Sequence, residues 1–135
     1  MDKVDRHISV LIVDDQRASR HIVRGQLAQL GFSTIEEAAD GVEALEKLRS
    51  KSFGLVISDW NMDGMDGLDL LRALRDDAAL HTIPFIMVTS QSQPQKRELA
   101  KSAGVNGYII KPVDVHTLAS KIAKAFEAML ERSAV

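Results

Sequence analysis

Three carboxylates stand at the ends of two apolar runs. In "ISVLIVDD" the run from Ile8 closes on Asp14 and Asp15, and in "LVISDWNMDGMDG" the run from Leu55 closes on Asp59. A third run, "PFIMVTS", closes on Thr89 and Ser90, and a fourth, "GYIIKP", on Lys111 and Pro112. Carboxylates gathered in one place repel, at about 4 kcal/mol for a pair ~4 Å apart in an effective dielectric of about 20. Such a cluster wants a cation, and all-oxygen donors with open positions favour Mg²⁺, which keeps waters and bridges to phosphate. Lys111 can offset more of the negative charge and pair with phosphate oxygens, and Thr89 can donate a hydroxyl hydrogen bond to one of them. A carboxylate beside Mg²⁺, a lysine and a hydroxyl points to phosphoryl transfer onto the carboxylate itself. The P-loop pattern G-x-x-x-x-G-K-[ST] is absent, so nothing points to direct nucleotide binding.

These residues converge only if a rigid scaffold brings the ends of the runs together. "ISVLIV" from Ile8, "FGLVIS" from Phe53 and "PFIMVT" from Pro84 are nearly continuous in β-branched and large apolar residues. Strands buried on both faces of a parallel sheet read this way. "STIEEA" from Ser33 is interrupted by polar residues and reads as an edge strand, and "GYII" from Gly107 completes five. Helical patterns lie between them. Arg17 to Leu30 puts Ala18, Ile22, Val23, Leu27 and Leu30 on one face and ends at Gly31. Gly41 to Leu48 groups Val42, Leu45 and Leu48, and Gly67 to Leu74 groups Leu68, Leu70, Leu71 and Leu74. Pro94 to Ala103 starts on a proline and meets Gly104 as its cap. The last helix, Val115 to Glu131, turns Leu118, Ile122, Ala125, Phe126 and Met129 inward. Alternating strands and helices predict an α/β doubly wound parallel sheet with helices on both faces. Such sheets bind ligands at the carboxyl ends of their strands.

The chain has 135 residues, 45% hydrophobic and 27% charged, which suits a single domain over 1–135 with its own core. It has no cysteine, which excludes disulfides, thiolate metal sites and cysteine nucleophiles. The opening "MDKVDRH" lacks an apolar signal core, and no run has the length of a membrane helix. Cytoplasmic residence is the expectation. With 17 basic and 19 acidic residues, net −2, and no basic block, nucleic acid is not an expected partner.

"VDD", "SDWNM", "TS" and "KP", in that order and each at a strand end, resemble the receiver domain of two-component response regulators, over about Ile8 to Leu130. "SDWNM" and "GYIIKP" are most similar to the stand-alone chemotaxis type (CheY-like). The resemblance implies a flavodoxin-like sheet in the order 2-1-3-4-5 with five helices. It also implies a role for each matched residue. Asp59 accepts a phosphoryl group from a histidine kinase. Asp14, Asp15 and Asp59 hold Mg²⁺ with the Asn61 main-chain carbonyl. Thr89 and Lys111 grip the phosphoryl oxygens, and the Lys111–Pro112 bond is cis. Tyr108 is the switch aromatic that turns inward as Thr89 moves to the phosphate. Asn61 and Gln91 tune hydrolysis of the acyl phosphate. The output face comprises Arg97, Lys101, Val105, Tyr108, Val113 and Lys121, basic with an apolar centre. One departure is Asp63, where the family usually has proline, so the loop loses a fixed φ and gains a charge.

Plainer readings compete at several positions. Singly, each aspartate is a solvated turn acid, and only with Thr89 and Lys111 does the functional reading outweigh that. Asp63, Asp66 and Asp69 read as loop and helix-start acids, Asp66 as an N-cap. Trp60 is expected to be a partly exposed neighbour of the site, and Tyr108 is open to reading as sheet-end packing. His7, His21, His81 and His116 share no ligand spacing and read as surface residues. Only "RSAV" follows the last helix, so no output domain is expected in this chain. The expected protein is a monomeric messenger, not an enzyme beyond its own phosphorylation and slow dephosphorylation, that binds a flagellar motor switch or another phospho-dependent partner. A phosphate sink or relay intermediate shares every site residue. An Mg²⁺-dependent phosphohydrolase with an aspartyl nucleophile is disfavoured, because such enzymes commonly carry D-x-D and here Trp60 and Asn61 follow Asp59.

Overall fold

Both faces of the sheet are covered, which is why its three central strands are nearly continuous in apolar residues. The computed structural model describes residues 1–133, with side chains described through residue 128. The order is β1 (Ser9–Val13), α1 (Arg17–Gln29), β2 (Thr34–Ala38), α2 (Gly41–Ser50), β3 (Leu55–Ser58), α3 (Gly67–Asp76), β4 (Phe85–Thr89), α4 (Pro94–Ser102), β5 (Gly107–Ile110) and α5 (Val115–Ser133). All five strands are parallel, in the order β2-β1-β3-β4-β5. Successive side chains of a strand point to opposite faces, so one β1 strand feeds two cores. Leu11 and Val13 join Val56, Phe85, Met87 and the α2 and α3 leucines on one side. Val10 and Ile12 join Leu55, Ile57, Ile86, Val88, Val23 and Leu27 of α1, and Leu118, Ile122 and Phe126 of α5 on the other. The expected inward position of Met129 lies outside the described side chains.

The predicted strands and helices are all present, but two helices turn differently from expectation. On α1 the buried residues are Val23 and Leu27, while Ile22 is 56% exposed and Ala18 is exposed. On α2 the buried row is Gly41, Ala44, Leu45 and Leu48, while Val42 is 56% exposed. Each row follows the i, i+3, i+4, i+7 spacing of one helix face. Ile22 and Val42 each sit one residue from such a row, about 100° around the helix. Helix ends follow the sequence closely. Gly31 and Gly104 adopt φ of 100° and 95° just past α1 and α4, the left-handed conformation that closes a helix. Asp66 caps α3, its side chain accepting from the Asp69 backbone N–H while the Asp69 side chain accepts from the Asp66 backbone N–H, a device worth about 1 kcal/mol.

The edge strand β2 trades apolar residues for charge. Glu36 pairs with Lys51 at 3.1 Å, and Glu37 takes Arg20 at 2.9 Å and Arg24 at 2.7 Å. Charges on an edge strand discourage further strand pairing. Burial works against the Glu37 charge, but the hydrogen bonds from Arg24 and Arg20 outweigh it and hold its pKa below the usual glutamate value. A carboxyl whose folded pKa is depressed adds stability above its unfolded pKa and loses it as pH falls through the folded pKa. Urea unfolding of the wild type and Glu37→Gln should therefore differ most at neutral pH, and the gap should close as pH falls below the ordinary glutamate range.

Candidate functional site

The sheet ladder runs on past the strand ends and fixes the backbone of the site. Asp14 N–H donates to Ala38 O at 3.1 Å, Asp59 N–H to Val13 O at 2.9 Å, and Lys111 N–H to Thr89 O at 2.9 Å. Asp14, Asp59 and Lys111 are thereby held on one edge as extensions of β1, β3 and β5. Their side chains meet. Lys111 Nζ lies 3.1 Å from Asp14 Oδ2 and 2.9 Å from Asp59 Oδ2. Its remaining contact is Ser19 Oγ at 3.1 Å. The other carboxylate oxygens face backbone: Asp59 Oδ1 accepts from Trp60 N–H at 2.6 Å and Asn61 N–H at 3.3 Å, and Asp14 Oδ1 from Gln16 N–H at 2.9 Å. Both carboxylates are buried, Asp14 at 5% and Asp59 at 8% exposure. The Lys111–Pro112 peptide bond is cis.

Electrostatics follow from that burial. Desolvation pushes the Asp14 carboxyl up, and hydrogen bonds from Gln16 and Lys111 offset this only in part. Burial also opposes the charge of Lys111, but its hydrogen bonds to Asp59 and Asp14 outweigh it, so its pKa is raised. The donor set suits a hard divalent cation. It consists of buried carboxylate oxygens of Asp14 and Asp59 whose charge one ammonium does not fully offset.

The structure gathers two of the three expected carboxylates. Asp15 is exposed and makes no hydrogen bond or ion pair with any described residue. No group of three or more His, Cys, Asp or Glu side chains among the described residues is arranged for a metal ion. Thr89 is fully buried at the end of β4, and its Oγ1 accepts from Gln91 N–H at 3.3 Å. Asn61 is exposed and Gln91 half-buried. Asp63 is exposed, while Asp66 and Asp69 form the cap of α3. His7, His21, His81 and His116 are all exposed.

Trp60 departs from expectation. It is only 3% exposed, covered by Lys96 Nζ at 4.9 Å from its ring and flanked edge-on by Tyr108 at 6.4 Å. A cation over an aromatic face is attractive, so α4 roofs the residue after Asp59. Tyr108 is also buried, beneath Arg97 at 5.3 Å, and its hydroxyl donates to Gln91 O at 2.7 Å. Burial raises its pKa, with Arg97 acting in the opposite sense.

The expected output face divides in two. Arg97 and Lys101 are exposed on α4, with Val105, Tyr108 and Lys121 on the adjoining elements. Val113 belongs to the opposite core, with Val23, Ile109 and Leu118, and its carbonyl accepts from Gln26 Nε2 at 2.9 Å.

Several residues of the site escape a reading by motif. Ser19 and Lys96 reach it only through helix packing. Gly67 opens α3 against the loop after β3. A Cβ there would lie 2.1 Å from the Asp59 carbonyl oxygen and 2.9 Å from Trp60 Cα. A glycine where a helix former would serve better was its one visible signal.

A five-stranded 2-1-3-4-5 sheet with two acids and a lysine on its carboxyl edge defines a receiver-type domain. The response regulator receiver domain family matches residues 10–123. Chemotaxis protein CheY-3 of Vibrio cholerae serotype O1 is 42% identical over 126 residues, 93% of this chain and 97% of that protein. Chemotaxis protein CheY of Pseudomonas aeruginosa is 45% identical over 120 residues, 89% and 97% of the two chains. Among solved structures, chemotaxis protein CheY4 of Vibrio cholerae matches with a TM-score of 0.81 at 34% identity, over 88% of this chain and 98% of that one. The chain belongs to the response regulator receiver domain family.

Because the Gly67 approach seats the backbone under Asp59, Gly67→Ala should destabilise the fold by about 1–3 kcal/mol, the usual cost of overpacking. Urea unfolding measures it, and an unchanged midpoint would show that α3 can shift away freely.

Proposed function

We propose that this chain is a phosphorylation-dependent signalling protein of the chemotaxis type, with Asp59 as phosphoacceptor. The observation that carries the reading is the Lys111 ammonium bridging Asp14 and Asp59 on the carboxyl edge of the sheet. The names of the similar chemotaxis proteins support the pathway.

Asp59 Oδ2 attacks the phosphorus of a phosphohistidine on the kinase. The new O–P bond forms as the P–N bond breaks, and its electron pair leaves with the imidazole. Lys111 then gives a hydrogen bond to a phosphoryl oxygen, and the Thr89 hydroxyl turns from Gln91 N–H to donate to another. Positioning and charge neutralisation carry most of this chemistry. Asp14, Asp15, Asp59 and the Asn61 carbonyl would hold Mg²⁺, which supplies further neutralisation of the carboxylate and phosphoryl charge. Asn61 and Gln91 border the path of the water that ends the signal.

The switch is a shift between two populations. Thr89 and Gln91 share one turn, and the Tyr108 hydroxyl bonds to Gln91 O. Movement of Thr89 therefore changes what holds Tyr108 beneath Arg97, and with it the α4 face. That face, with Arg97, Lys101, Val105, Tyr108 and Lys121, binds the output partner, for which the flagellar motor switch is our choice. The chain acts as a monomer in the cytoplasm and is not an enzyme beyond its own phosphorylation and dephosphorylation. No described helix is long and apolar enough to cross a membrane.

Acetyl phosphate and Mg²⁺ should add one phosphoryl group to the wild type by intact mass and none to Asp59→Asn. Equal modification of the variant would contradict the assignment.

A further inference from the structure

An ammonium has three N–H donors, and the three acceptors around Lys111 Nζ are Asp14 Oδ2, Asp59 Oδ2 and Ser19 Oγ. The first two are the acids of the site. The third comes from α1 and has no part in the reaction described above. Its surroundings leave the donor little else. On the α1 side the lysine borders an open groove of about 370 Å³ lined by Ser19, Ile22, Val23, Val88, Pro112 and Val113. Ser19 is the polar side chain among these lining residues. Helix α1 is itself pinned, since Arg20 donates to Asp14 O at 2.6 Å and Gln26 to Val113 O at 2.9 Å. The serine hydroxyl is thus presented from a fixed helix.

We propose that Ser19 is a positioning residue for phosphoryl transfer, anchoring the Lys111 ammonium while its hydrogen bond passes from Asp59 to the incoming phosphoryl oxygen. The inference rests on Asp59 being the phosphoacceptor. When Asp59 Oδ2 bonds to phosphorus it loses its negative charge and its hold on the lysine weakens. A neutral hydroxyl neither competes for the phosphoryl group nor changes charge during the step. It keeps the flexible lysine chain over the site without drawing it away.

The test is the rate of Asp59 phosphorylation by acetyl phosphate in saturating Mg²⁺, followed by intact mass for the wild type, Ser19→Ala and Ser19→Thr. Ser19→Ala should lower the maximal rate roughly three- to tenfold, within the range for losing one ordinary hydrogen bond. Half-saturation by donor and the thermal midpoint should hold, and Ser19→Thr, which keeps a hydroxyl, should restore the rate. An unslowed Ser19→Ala, or a folded Ser19→Thr as slow as Ser19→Ala, would overturn the proposal while leaving Asp59 as acceptor. A wild type that takes no phosphoryl group at Asp59 would overturn both readings together.

Discussion

The Lys111 ammonium, set between Asp14 and Asp59, is the interaction on which the rest of this edge depends. Two buried carboxylates facing each other would repel and each would demand water. With the lysine at 2.9–3.1 Å from both, repulsion becomes two attractions, and three strand ends are tied together. Backbone N–H groups take up the remaining carboxylate oxygens, so each acid is held at both ends. Such a cluster gains from added positive charge.

Everything around the lysine serves to hold it there. The parallel sheet fixes the backbone positions through ladder bonds that outlast the strands. Gly67 lets α3 start almost against the Asp59 carbonyl, and α1 brings Ser19 from the other side. From Asp59 a short aromatic path leads outward. Trp60 touches Tyr108, and both carry a cation of α4, Lys96 or Arg97. The β4–α4 turn closes the loop, since Gln91 bonds to both Thr89 and Tyr108. A change at the acid thus has a contiguous physical route to the basic face of α4.

Much of this was legible in the sequence. Strands buried on both faces must be apolar throughout, so a run that breaks on Asp14, Asp59 or Lys111 marks the point where the chain leaves the core. Asp66 was legible as a cap from local chemistry alone. Ile22 and Val42 were misplaced because apolar type does not tell which of two adjacent rows of a helix meets the sheet. Trp60 is covered in part by Lys96, far along the chain, and no local pattern announces that contact. Val113 packs with Val23, Ile109 and Leu118, and its apolar type alone does not tell which side of the sheet it joins.

The most direct measurement is a double-mutant cycle by urea unfolding of the wild type, Lys111→Met, Asp59→Asn and the double variant. If the lysine serves to neutralise the buried acids, its loss must cost far less once Asp59 is uncharged. The expected coupling between the two positions is about 1–3 kcal/mol. Effects that add to within about 0.5 kcal/mol would contradict it.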